Sequence, residues 1–186
     1  DDTLVFTNEG VNLPRKWAAS GNTTVIASST SPYAKCIESY LGFLMLGNVS
    51  ETGAFTDVVD GQRIIRYSDD WDNDWSLCQG NELTLDETPG NLVAMKRLGR
   101  DLICYKDDGL VRVRWIGGQL RFSQEKIPID TGCLAPLSVA SVADAAHIFL
   151  GSDAVLYMVT PQEVKPISYE SLSGTLPTTF SLGKLK

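Results

Sequence analysis

Three short segments repeat one pattern, four mainly apolar residues followed by a turn: Phe43-Leu44-Met45-Leu46-Gly47-Asn48, Leu102-Ile103-Cys104-Tyr105-Lys106-Asp107 and His147-Ile148-Phe149-Leu150-Gly151-Ser152. In the last two a second apolar run follows the turn, Leu110 to Trp115 and Val155 to Val159. In the first, the matching run Arg63 to Tyr67 is delayed by an insertion from Val49 to Gln62. With Leu46, Tyr105 and Leu150 as equivalents the spacings are 59 and 45 residues, and the insertion accounts for most of the difference. Hairpins recurring every ~40 to 50 residues are the pattern of propeller blades, because a single four-stranded blade cannot bury both of its faces.

The rest of the chain agrees. Leu4-Val5-Phe6-Thr7 reads as a further strand, Gly, Asn, Asp and Pro clusters separate the apolar runs, and no window sustains a capped period of 3.6. Third strands are expected after Trp115-Ile116-Gly117-Gly118 and after Val159-Thr160-Pro161, and Gly117-Gly118 suits the positive φ of a primed hairpin turn. The expected class is all-β, a β-propeller-like array of antiparallel blades over residues 1–168. Repeats lie near 34–67, 92–127 and 137–168, and 169–186 forms a C-terminal strand or extension. At roughly 45 residues per blade the chain supplies about four blades, the smallest number commonly seen, so it is part of a larger ring or an open blade array completed by other chain segments. Leu44, Leu46, Ile103, Tyr105, Ile148 and Leu150 are the expected core layers, since alternate strand residues share a face.

Composition limits the function classes. The 186 residues are 43 % hydrophobic and 21 % charged, close to globular averages. Asp1-Asp2-Thr3 lacks the basic and apolar parts of a signal peptide, so a soluble domain is expected, and the tripeptides at Asn22 and Asn48 are read as unused glycosylation signals. A formal charge of −7 disfavours a general nucleic-acid binder, which starts from a basic footprint. Cys36, Cys78, Cys104 and Cys133 contain no close pair of the zinc-ligand kind and read as buried thiols of a reducing compartment.

Catalytic motifs are not selected. Ser123-Gln124-Glu125-Lys126 matches S-x-x-K, but its S-D-N and K-T-G companions do not occur. The single histidine, His147, has no sequence-local partner and reads as a packing or hydrogen-bonding residue. Asp70-Trp71-Asp72-Asn73-Asp74 carries carboxylates at alternate positions, yet an EF-hand would need glycine at Trp75 and glutamate at Asn81. It reads as an acidic turn, with a calcium loop of another type as the alternative. Arg112 and Arg114 alternate with Val111, Val113 and Trp115, so both guanidinium groups leave one strand face while the apolar residues enter the core. That face is either solvated or a contact to a neighbouring acidic subunit or to a passing polyanion. Residues 60–90 carry eight acids against two bases and residues 91–126 eight bases against four acids, a segregation that suits head-to-tail docking. The candidate partner-binding residues are therefore Arg112, Arg114, Asp70, Asp72 and Asp74. Trp17, Trp71, Trp75 and Trp115 are blade-packing residues or a sugar platform.

One resemblance adds to this reading. Leu4-Val5-Phe6-Thr7-Asn8 with Pro14 and Trp17, Gly42 to Asn48, Arg66-Tyr67-Ser68-Asp69 with Asp74-Trp75, Pro89-Gly90, Gly99, Tyr105 to Trp115, Gly117-Gly118, Gly132 to Pro136 and Phe149-Leu150-Gly151 stand in an order that resembles virion proteins of tailed bacteriophages. The resemblance covers most of residues 3 to 168. It implies a β-propeller structural component of the tail or head-to-tail region, in the virion and in the host cytoplasm during assembly. It implies no enzymatic activity, no cofactor and no catalytic residues. The implied partners are other virion proteins in a homo-oligomer or multi-subunit assembly, without a membrane or specific nucleic-acid recognition. The rival expectation is a propeller-type carbohydrate-binding or glycoside-hydrolysing module.

Overall fold

The computed structural model describes residues 4–26, 32–50, 60–68 and 81–167. Every sheet is antiparallel, and the described residues include no α-helix, only the single 3₁₀ turns Gly61–Arg63 and Pro136–Ser138. The chain divides into two compact units, residues 1–86 and 87–186.

In the first unit β1 (Leu4–Phe6), β2 (Arg15–Trp17) and β3 (Thr24–Val25) form a three-stranded sheet in chain order. Next come β4 (Tyr33–Tyr40), β5 (Phe43–Ser50), β6 (Ile64–Tyr67) and β7 (Glu82–Thr84), a four-stranded meander. One face of the smaller sheet packs on the meander. Val5 meets a cluster of Ile26, Ala34, Leu46, Val49 and Ile64, which excludes water from both surfaces at once.

The second unit repeats the meander twice. β8 (Leu92–Leu98), β9 (Asp101–Lys106), β10 (Leu110–Gly117) and β11 (Arg121–Ile127) form one sheet, and β12 (Ala140–Val142), β13 (Ala146–Leu150), β14 (Leu156–Val159) and β15 (Val164–Pro166) the next. The three hairpins read from the repeat are thus the central strand pairs β5–β6, β9–β10 and β13–β14 of successive four-stranded sheets. Gly117 and Gly118 both have positive φ, +74° and +70°, as the primed-turn expectation required.

Ile103 and Tyr105 on β9, Leu110 on β10, Phe149 on β13 and Val159 on β14 fill one cluster between these two sheets. The Phe149 ring meets Tyr105 edge-on at 5.2 Å and stacks on Tyr157 at 5.4 Å. All six residues of β9 are buried, so this strand is covered on both faces, as a near-continuous apolar run demands.

The expected core layers need two corrections. Leu46, Ile103 and Tyr105 are buried and Leu44 is half-buried against the first cluster, but in β13 the inward positions are His147 and Phe149, while Ile148 and Leu150 stay half-exposed. The larger ring takes the filled side because only that face of β13 meets the Tyr105 cluster. Trp115 was expected inside and is exposed. β10 runs past the end of its neighbour β9, whose last pair is Asp101 with Arg114, and a bulge follows Trp115. No strand of β8–β11 other than β11 covers Trp115 there, and its ring packs edge-on against Phe122 at 5.3 Å.

Cys36, Cys104 and Cys133 are free thiols, and burial pushes Cys36 up to about 12. Only the thiolate is nucleophilic, so iodoacetamide at pH 8 should modify these three cysteines slowly in the native protein and fully in denaturant. Peptide mapping checks this, and rapid native labelling of Cys104 would contradict its buried position.

Candidate partner-binding surface

The hairpin β9–β10 places Arg114 directly opposite Asp101, and Arg112 two positions along the same face. Nε and Nη2 of Arg114 donate to the two Asp101 carboxylate oxygens at 2.8 and 2.9 Å, a bidentate pair. Arg112 Nε lies 3.4 Å from the same carboxylate, Nη1 lies 3.6 Å from Glu125, and Nη2 donates to the Pro161 carbonyl at 3.0 Å. The two arginines therefore share a face, as alternation required. Their roles differ: the Arg112 side chain is 17 % exposed and ties strands together, whereas Arg114 is 54 % exposed. Asp70, Asp72 and Asp74 lie outside the described residues, as do Cys78, Trp71 and Trp75.

Charge on the β8–β11 sheet is sorted by its ends. The β8–β9 turn and the β10–β11 tip share one end, which carries exposed Arg97, Arg100 and Arg114 with half-buried Arg121 and the acid Asp101; one row further in, half-buried Lys96 and exposed Glu125 lie level with Ile103 and Arg112. The tip itself presents Trp115, Ile116 and Leu120 to solvent. At the opposite end the β9–β10 turn bears Asp107 and Asp108.

Those two carboxylates organise the turn. Asp108 accepts from the Thr88 hydroxyl at 2.8 Å and from the Gly90 amide at 2.6 Å, and Asp107 accepts from the Asn91 amide at 2.8 Å. Lys106 is wholly buried beneath them, with Nζ donating to the Thr88 carbonyl. Gly132 crosses the turn: a Cβ there would lie 2.1 Å from the Asp107 carbonyl carbon. The Ser152 amide donates to the Gly132 carbonyl at 2.9 Å, which brings the β13–β14 turn and exposed Asp153 to the same end.

His147 is 1 % exposed. Nε2 lies 2.9 Å from the Arg97 carbonyl, which only accepts, so Nε2 carries the proton and Nδ1 accepts from the Tyr105 hydroxyl at 2.8 Å. Burial is the main cause that lowers the His147 pKa, with nearby Lys96 adding to it and the Arg97 carbonyl opposing it. Burial likewise raises the Tyr105 phenol above its usual range. Both ring nitrogens are engaged within the core, the hydrogen-bonding role read for this residue. A pH dependence follows. The unfolded chain binds a proton on His147 below about pH 6.5 while the folded protein resists it, so stability is full above that pH and falls as the pH drops below it. With one histidine in the chain, His147→Gln should flatten the slope of the denaturation midpoint between pH 7 and 5; an unchanged slope would contradict the assignment.

Ser123 and Lys126 lie on β11 three positions apart, hence on opposite faces of the strand, and are not brought together for acyl transfer. Among the described residues no three His, Cys, Asp or Glu side chains group as metal ligands. Sequence reading missed Asp101 and Lys106, and also a cleft on the β1–β3 sheet lined by Arg15 and Trp17.

No family model matches the chain, and no curated protein matches it.

Proposed function

We propose that this chain is a propeller-type structural component of a tailed-phage virion, acting in the tail or head-to-tail region through protein–protein contacts. The observation that carries this reading is the run of three four-stranded meanders in strict chain order, each contributing its central hairpin at the place the repeat predicts. Antiparallel sheets packed on a shared core hold their end loops in place, and end loops of opposite charge suit docking to neighbouring subunits. The polar groups described above support a scaffold, since Asp101 stabilises a strand pair, Asp107 and Asp108 stabilise a turn, and His147 joins two sheets through Arg97 and Tyr105.

Reversing Arg112 or Arg114 would break the Asp101 pair, so Arg97 and Arg100 are the better probes of docking. Co-sedimentation with purified tail and connector proteins should be strong at 0.1 M salt. It should weaken at 1 M, where the screening length falls from about 10 Å to about 3 Å. Arg97→Glu with Arg100→Glu should slow association by about tenfold while the melting curve is retained. Salt-independent association that ignores the double reversal would remove the electrostatic docking. A chain that never enters virions but degrades a glycan would assign it to the hydrolytic module instead.

A further inference from the structure

The three-stranded sheet β1–β3 has one face that the described residues of its unit do not cover. Val5 turns to the core, so Leu4 and Phe6, with their cross-strand partners Trp17 and Arg15, line the other side. There they bound an open cleft of about 780 Å³, completed by Gly21, Asn22 and Thr23. The volume lies within the range of small-molecule sites, ~300 to 1,000 Å³. Leu4 is 58 % exposed, Trp17 38 % and Phe6 36 %, a concentration of apolar surface on so short a sheet.

Two of these side chains are held in place before any ligand arrives. The Trp17 indole Nε1 donates to the Gly21 carbonyl at 3.2 Å, which fixes the ring. Arg15 donates from Nε to the Thr23 hydroxyl at 2.8 Å and from Nη2 to the Thr23 carbonyl at 2.7 Å. The Nε edge of the guanidinium is thereby spent, and the Nη1–Nη2 end keeps donors that no described residue accepts. No carboxylate among the described residues makes an ion pair with Arg15, whereas Arg63, Arg66, Arg112 and Arg114 each have one. A partly buried cation with no counterion among the described residues, beside an aromatic platform, is complementary to a planar anion carried on an apolar ring face.

We propose that this cleft binds an acidic saccharide, a hexuronic acid unit of a glycan. The C–H face of the sugar lies on Trp17 and Phe6, its carboxylate takes the Nη1–Nη2 end of Arg15 in a bidentate pair, and Asn22 serves the ring hydroxyls. The site is independent of the virion reading and stands or falls without it.

Calorimetric titration of the full chain with a trigalacturonate and with the uncharged galactotriose tests this. The acidic trisaccharide should bind at least tenfold more tightly than the neutral one. Arg15→Gln should abolish that ratio, Arg15→Lys should lose most of it because an ammonium cannot form the bidentate pair, and Trp17→Ala should weaken both sugars at least tenfold. Trp17→Phe guards against a folding artefact and should stay within about threefold of the parent. Trp115→Ala, remote in sequence and on another sheet, should change nothing. Equal affinity for the two sugars, binding of neither at millimolar concentration, or an acidic preference that survives Arg15→Gln would each overturn the assignment.

Discussion

Replacing Gly132 by alanine is expected to cost about 4 kcal/mol, a large share of the roughly 5–15 kcal/mol that holds a domain of ordinary stability folded. The new Cβ would stand 2.1 Å from the carbonyl carbon of Asp107, 2.2 Å from its oxygen and 2.5 Å from the Asp108 nitrogen. These are backbone atoms, so no rotamer change relieves the overlap. The β9–β10 turn or the chain at Gly132 must move, and with it the Lys106 and Asp108 hydrogen bonds. Gly118 is the control: a Cβ there meets nothing within 4 Å, although its φ is +70°, so Gly118→Ala should cost only about 1 kcal/mol. Urea denaturation of both variants checks the contrast, and equal midpoints would mean that the two turns do not cross as described.

The second large effect belongs to Asp101. Its side chain is 9 % exposed and faces two guanidinium groups. Removing the carboxylate leaves Arg112, itself mostly buried, without its nearest counter-charge. Breaking a buried ion pair from one side costs about 3–5 kcal/mol. Because Arg114 is half-exposed and rehydrates, Asp101→Ala should cost about 2–3 kcal/mol. Arg114→Ala should cost about 1 kcal/mol, and a double-mutant cycle between the two should show that their losses are not additive. Additive losses would show that the bidentate pair contributes nothing to stability.

The hairpins were legible because the signal that marks them is local. Apolar runs of four to six residues, broken by Asp107-Asp108-Gly109 or Gly151-Ser152, announce strand, turn and strand within a dozen positions. The strands β2, β3 and β12 were not, since Arg15-Lys16-Trp17, Thr24-Val25 and Ala140-Ser141-Val142 are short pieces whose strand character comes from the neighbours they pair with. Face assignment failed in β13 for a related reason. His147-Ile148-Phe149-Leu150 is apolar at nearly every position, so alternation cannot say which side is inward, and the ring partners of Phe149 lie on other strands.

The arginine face was read correctly from the alternation of Arg112 and Arg114, but not its anchor. Asp101 could have been found by carrying the hairpin register outward from the turn, because a pairing of Tyr105 with Leu110 fixes Asp101 opposite Arg114. Lys106 gave no such signal. A lysine next to two aspartates reads as solvated charge, and only the closure of Thr88 and Gly132 over the turn buries it. The Arg15 cleft was half visible: Trp17 stood out as a lone aromatic, while the lack of a carboxylate partner for Arg15 among the described residues is a property of space and not of spacing.

The single cluster that joins Ile103 and Tyr105 to Phe149 and Val159 bears on how such a chain can be cut, copied or inherited. A break in the stretch from Pro128 to Val139 would leave two halves, each with an uncovered aromatic side, that must find each other again to be soluble. A break at the boundary between Asp86 and Glu87 leaves each side with its own filled interior. The smallest heritable module is therefore a pair of sheets. Gene duplication, truncation or fragment expression in chains of this design should succeed in steps of two sheets and fail in steps of one.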